Sequence, residues 1–109
     1  MTRRGQFVVI AMQGDFGKPR PALVVQSDLF SELPSFVVCP LTTAIRDDAG
    51  LFRIDVEPSA ENGLRQRSQI AIDKMTVVAA QKIGKAIGAA DEDVLERVNR
   101  ALVVFLGLA

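Results

Sequence analysis

Lys18-Pro19-Arg20-Pro21-Ala22-Leu23-Val24-Val25-Gln26-Ser27-Asp28 joins a stiff cationic head to an unbroken apolar run. The two prolines fix φ and remove backbone donors, so Arg20 is held in extended geometry at a strand entrance. From Ala22 to Val25 the residues are apolar and bounded by polar ones, which predicts a strand buried on both faces. A guanidinium carried on that base has the forked donors that suit phosphate. A solvated arginine at an edge strand is the competing reading.

Upstream, Arg4 to Met12 is β-rich and ends at Gln13-Gly14-Asp15-Phe16-Gly17-Lys18-Pro19, whose glycines and proline predict a connection. Phe16 lies there between cations, so it can stack a base while Lys18 and Arg20 hold phosphate, or fold back onto the mouth of a barrel. Downstream, a loop or short helical turn to Pro34 precedes a third strand from Ser35 to Leu41, which empties into Thr42-Thr43. Hydroxyls just past a buried strand are held firmly yet can reach a cleft. Leu51 to Glu57 alternates apolar and charged positions, as a half-exposed strand does.

The turn Pro58 to Gly63 leads to Arg65-Gln66-Arg67-Ser68-Gln69, a second cationic cluster entering a strand through Ile70, Ile72 and Met75. A last short strand follows within residues 82–88, with a bulge or bend expected at Gly84. Asp91-Glu92-Asp93 marks a helix start, and Val94, Leu95, Val98, Leu102, Phe105 and Leu106 recur at helical spacing. Val103 and Val104 fall off that stripe, so the final turns are apolar nearly all round and call for a second covering surface. A homodimer provides one.

A chain of 109 residues is the length of one domain, and 1–109 is read as a single unit. With 49% hydrophobic and 24% charged residues it should fold, and no run of eighteen apolar residues or signal-peptide pattern occurs. The expectation is a soluble, cytoplasmic protein. Cys39, the single cysteine, lies in an apolar run and reads as a buried thiol, which excludes a disulfide framework or a zinc site. Net charge is zero, so any affinity for nucleic acid must come from a local cluster. There is no histidine, so hydrolytic chemistry would fall to arginine, carboxylate, hydroxyl or lysine.

These patterns alone describe a compact, mostly-β domain of five or so strands and one terminal helix. Arg4-Gly5, Arg20-Pro21-Ala22-Leu23-Val24-Val25, Pro40-Leu41-Thr42-Thr43, Gly63-Leu64, Ile72-Asp73-Lys74 and Ile83-Gly84 add to this by their order and spacing. In these the chain resembles the MazF/PemK toxins over nearly its whole length. The resemblance implies an SH3-like antiparallel barrel with a C-terminal helix, a homodimer, and a toxin of a type II toxin-antitoxin pair. It also implies an endoribonuclease that cuts single-stranded messenger RNA without a metal or other cofactor and is restrained by a cognate antitoxin.

The family's cleavage residues map onto Arg20 and Thr42, and Phe16, Lys18, Thr43, Arg67 and Gln69 are the accompanying substrate-binding candidates. A fixed guanidinium supplies charge and donors to phosphorane oxygens, and a hydroxyl supplies one more. Some members place a carboxylate before the fifth strand; here Arg67-Ser68-Gln69 stands there, with no carboxylate until Asp73, and the base is unassigned. Val25-Gln26-Ser27-Asp28 and Phe105-Leu106-Gly107-Leu108 also look like CcdB, which shares the barrel but poisons DNA gyrase. CcdB lacks the Arg-Pro-Ala and Thr-Thr segments, and its tail carries a tryptophan where Leu106 stands. A barrel that has lost activity and only pairs with an antitoxin is a third possibility.

Overall fold

In the computed structural model, which describes residues 1–11 and 18–108, the apolar runs lie next to one another as antiparallel strands. The strands are β1 (Gln6–Ala11), β2 (Pro19–Val24), β3 (Ser35–Thr42), β4 (Arg53–Val56), β5 (Ser68–Ala71), β6 (Thr76–Ala79) and β7 (Ala86–Ala89), and α1 (Glu92–Phe105) follows. They hydrogen-bond in the order β4-β5-β3-β2-β1-β7, and β6 pairs with β3 outside that path. The sheet curls into a half-barrel, the SH3-like shape expected.

β3 is shared. Along one edge it pairs with β2, Ala22 facing Pro40 and Val24 facing Val38. Along the other it pairs with β6 from Ser35 to Val38 and with β5 at Leu41 and Thr42. Pro40, which has no N–H to give, falls in the gap at Cys39–Pro40 between those two pairings. Alternation along the strands then makes two apolar layers. Phe7, Leu23, Cys39, Leu41, Ile54, Ile70 and Ile72 form the larger one with Val94, Val98 and Ala101 of α1. Val8, Ile10, Ala22, Val24, Phe36 and Val38 form the other. The segment Ala22 to Val25 is therefore buried from both sides, as its uninterrupted hydrophobicity predicts.

Seven strands are described where about five were expected, because the run from Ile70 to Met75 breaks. A 3-10 turn over Ile72–Lys74 separates β5 from β6 and puts Asp73 against Arg53. Arg53 Nε donates to Asp73 Oδ1 at 2.7 Å and Nη2 to Oδ2 at 3.0 Å, with side-chain exposures of 9% and 21%. The bulge also moves. Gly84 N–H donates to Val9 O at 2.8 Å, and the extra residue is Ile87, since Phe7 faces Gly88 while Val8 faces Ala86.

The helix begins where the acids predict. Asp91 Oδ1 accepts from Val94 N–H at 2.9 Å, and Glu92 and Asp93 occupy the first turn, where the positive end of the helix dipole favours them. It ends in a Schellman motif: Gly107 has φ +70°, its N–H donates to Val104 O at 3.2 Å, and Leu108 N–H donates to Val103 O at 2.9 Å. Burial along the stripe stops at Leu102. Phe105 and Leu106 stay 46% and 50% exposed, so the last turn is only half covered by the described residues.

Hydrogen bonding to Arg53 holds the Asp73 carboxyl below its ordinary pKa of 3.8, outweighing the opposing effect of burial. A depressed folded value contributes stability above pH 3.8 that is lost as pH falls through the lower folded value. Asp73→Asn should cost about 3 kcal/mol at neutral pH, by leaving a buried guanidinium half-paired. In urea unfolding across pH 2 to 7, the variant should also show a shallower acid limb; an unchanged limb would assign the acid sensitivity to other carboxylates.

Candidate active site

The strand register sets four polar residues in line. Ala22 faces Pro40 across β2 and β3, and continuing that pairing by two residues puts Arg20 opposite Thr42. Thr42 faces Gln69 on β5, and Gln69 faces Asp55 on β4. Directly opposed residues on antiparallel strands share a face with Cβ atoms about 5 Å apart. Arg20, Thr42, Gln69 and Asp55 thus form one transverse row, at the end of the face carrying Ile10, Ala22 and Val38. The arginine and threonine singled out in the sequence lie at the same ends of neighbouring strands.

Gln69 holds the row's neighbouring turn. Its Nε2 donates to Arg46 O at 3.1 Å and to Asp55 Oδ1 at 2.9 Å, while its Oε1 accepts from Arg46 N–H at 3.0 Å. The residue is 3% exposed. Its amide is fully engaged, so the geometry favours a positioning role over the direct substrate contact expected. Thr42 Oγ1 accepts from Ala44 N–H at 3.1 Å, a local turn that fixes the rotamer and leaves the hydroxyl proton to donate. Arg53 and Arg46 guanidinium carbons lie 5.9 and 5.8 Å from the Phe52 ring centre, which steadies the same loop from below.

Arg67 flanks the row. Its Nη2 is 3.5 Å from Asp55 Oδ2 and its Nε is 3.5 Å from Glu57 Oε1, and the side chain is 49% exposed. Two carboxylates share this one cation, which makes it a weaker phosphate ligand than the sequence suggests. Asp73, the nearest downstream carboxylate in the sequence, is committed to Arg53. Cys39 is fully buried, and burial, with a smaller contribution from Asp73, pushes its thiol up to about 12. It stays protonated and inert.

On the other side of the rim, Arg20 and Thr43 line a cleft of about 520 Å³ floored by Val9, Pro21, Leu64 and Ile87. Lys18 is exposed just before β2. Phe16, the stacking candidate, lies outside the described residues. A larger groove of about 790 Å³ runs between β4 and the start of α1, but Asp55, Glu57, Glu61, Asp91 and Asp93 line it and would repel phosphate. The cleft beside Arg20, whose described lining residues carry no carboxylate, suits an anionic polymer better.

Sequence reasoning passed over Asp55, which reads as one more solvated charge on an alternating strand. Its alternation marks it as outward-facing, but only strand pairing reveals that it aligns with Thr42. Arg4-Gly5, by contrast, turns out to be architectural. Arg4 N–H donates to Asp28 Oδ1 at 2.7 Å, and its guanidinium donates to Val25 O at 2.9 Å and Asn99 Oδ1 at 2.6 Å. Gly5 has φ +92° and bonds Val24 O and Ala90 N–H, both at 2.8 Å.

Comparison with known proteins agrees with this geometry. Residues 3–106 match the profile of the PemK-like, MazF-like toxins of type II toxin-antitoxin systems. The chain is 42% identical over 108 residues to the "Probable endoribonuclease MazF" of Mycolicibacterium smegmatis, covering 98% of each. Its fold superposes on the Mycobacterium tuberculosis toxin MazF-mt6 with a TM-score of 0.81 at 22% identity, covering 95% of this chain and 98% of that one. A mycobacterial endoribonuclease solved in complex with its cognate antitoxin gives 0.83 at 22% identity, over 100% and 98% of the two chains. These findings favour the MazF reading over CcdB, and the chain belongs to the PemK-like, MazF-like toxin family.

Proposed function

We propose that this chain is the toxin of a type II toxin-antitoxin pair and an endoribonuclease that cuts single-stranded RNA in the cytoplasm. The observation that carries this reading is the register of β2 against β3, Ala22 facing Pro40, which when continued by two residues brings Arg20 toward Thr42. Cleavage through the ribose forms a bond from the 2′-oxygen to phosphorus and breaks the bond to the 5′-oxygen. Negative charge builds on the non-bridging oxygens between those events. Arg20 supplies fixed positive charge and paired donors to them, and the Thr42 hydroxyl supplies a further donor; arginine keeps its proton throughout. Electrostatic stabilisation of this kind needs no metal ion.

The working unit is a homodimer. Val104, Phe105, Leu106 and Leu108 are 57%, 46%, 50% and 71% exposed on the end of α1, beside Leu51 at 72%. Contiguous apolar surface of that sort is what an interface covers. The antitoxin is a second partner, an extended acidic or apolar segment laid across the dimer groove so as to cover Arg20 and Arg67. The complex of a related endoribonuclease with its cognate antitoxin supports a partner of this type.

Purified protein should cleave single-stranded RNA in excess EDTA. Arg20→Ala and Thr42→Ala should each slow cleavage by about 100-fold or more, with a cooperative unfolding transition retained. Wild-type rates in either variant would remove that residue from the mechanism. In sedimentation velocity, Val104→Asp combined with Phe105→Asp should convert a dimer to a monomer; a dimer that survives both charges would place the interface elsewhere.

A further inference from the structure

Thr42 and Thr43 are consecutive, yet Thr42 stands in the row with Arg20 while Thr43 lines the cleft on the opposite side of the rim. β3 ends at Thr42, and Thr43 in the bend that follows lines the cleft, which Arg20 borders as well. An RNA strand held by its phosphate at Arg20 and Thr42 therefore has the cleft immediately beside it. We propose that this cleft seats one unstacked base next to the scissile phosphate, and that Gln66 and Arg65 read its edge. The inference rests on the ribonuclease reading above and names a subsite within it.

The cleft is chemically suited to a base. Its volume of about 520 Å³ lies within the range of small-ligand sites, large enough for one nucleotide and too small for a duplex. The floor of Val9, Pro21, Leu64 and Ile87 offers apolar surface to a π-face, and the walls carry Arg20 and Arg65 with no carboxylate among the described lining residues. Sequence-specific proteins read single-stranded RNA in this way, holding a splayed base on apolar surface and bonding its edge. Among the described residues, the Gln66 side chain has no hydrogen-bond partner, so its donor and its acceptor are both available to a ligand. Ser68 Oγ donates to Gln66 O at 3.0 Å, which fixes the backbone from which that amide projects.

The floor is also built with care. The bulge at Ile87 adds one residue to β7 opposite Phe7 and Val8 and turns the isoleucine to the cleft. Gly63, at φ +69°, permits the approach, since a Cβ there would stand 2.0 Å from Ile87 O. Asn62, 6% exposed, accepts from Leu64 N–H at 2.9 Å and Ser59 N–H at 3.0 Å and donates to Glu57 O at 2.8 Å, which locks Leu64 in place. A fixed apolar floor under two exposed polar side chains is the arrangement of a specificity pocket.

The test uses the full chain with Gln66→Ala and Arg65→Ala. Cleaved ends are mapped on a pool of random-sequence RNA, and binding of the four homopolymeric deoxyheptanucleotides, which cannot be cleaved, is followed by the methyl signals of Leu64 and Ile87. Wild type should prefer one base at one position next to the cut. At least one variant should weaken that preference about tenfold while still cutting RNA, the size expected of a paired edge contact. In wild type the methyl signals should move with the preferred oligonucleotide. An unchanged map in both variants overturns the subsite, whatever the methyl signals do. Methyl signals that move only with an antitoxin peptide overturn it as well and give the cleft to that partner. If wild type cuts no RNA, the ribonuclease reading falls, and the oligonucleotides alone decide the subsite: base-selective shifts lost in Gln66→Ala keep it, and unmoved methyls end it.

Discussion

The register of β3 fixes everything that matters about the site. A slip of one residue against β2 would exchange the faces of the whole strand, sending Leu41 outward and Thr42 into the main core. Three separate pairings forbid that slip: β2 along one edge, β6 and then β5 along the other. The apolar residues on both faces of β3 reinforce them, because Cys39 and Leu41 belong to one core layer and Phe36 and Val38 to the other. A strand buried from both sides has no alternative register with a comparable burial of apolar area, so the core positions the backbone of Thr42 and leaves its side chain to the turn that follows.

The remaining precision comes from one amide. A turn leaving the end of β3 could adopt many conformations, each costing little, and the threonines would then move with it. Gln69 removes that freedom by pairing with both the N–H and the carbonyl of Arg46, as a neighbouring strand would. An amide offers a donor and an acceptor at once, the combination a peptide group requires. The row's carboxylate is instead Asp55, one strand away and bonded to the same amide.

How far the sequence could be read depended on the range of the interactions involved. The strands around Val8, Leu23 and Val38 and the start of α1 at Asp91 were legible, since hydrophobic runs and caps are local signals. The break at Ile72 was not, because Asp73 is drawn out of the strand by Arg53, twenty positions away in the chain. The bulge at Ile87 was misplaced to Gly84 for a similar reason: glycine marks where a bend is permitted, and strand pairing decides where it falls. Val25-Gln26-Ser27-Asp28 pointed to CcdB, a family of different activity, because it is scaffolding. Gln26 accepts from Val37 N–H at 3.1 Å and donates to Ser35 O at 3.2 Å, prolonging the ladder beyond β2, while Ser27 caps the next turn and Asp28 holds Arg4. Any protein built on this barrel can use those contacts, whatever it does.

A chain of zero net charge cannot gather RNA through a broad field, so its affinity has to be generated at short range. The distribution of charge is consistent with that demand. Carboxylates crowd the groove along β4 and α1 and partly neutralise Arg67, while the described residues lining the cleft beside Arg20 and Arg65 include none. Phosphate is thus disfavoured on the acidic flank of the row, and the proposed path of RNA follows the other. Few phosphate contacts also mean a shallow dependence on salt and little non-specific hold. Under those conditions the apolar floor beneath Gln66 is the remaining source of binding free energy, and a toxin that depends on it would discriminate between RNA sequences by the same contact that retains them.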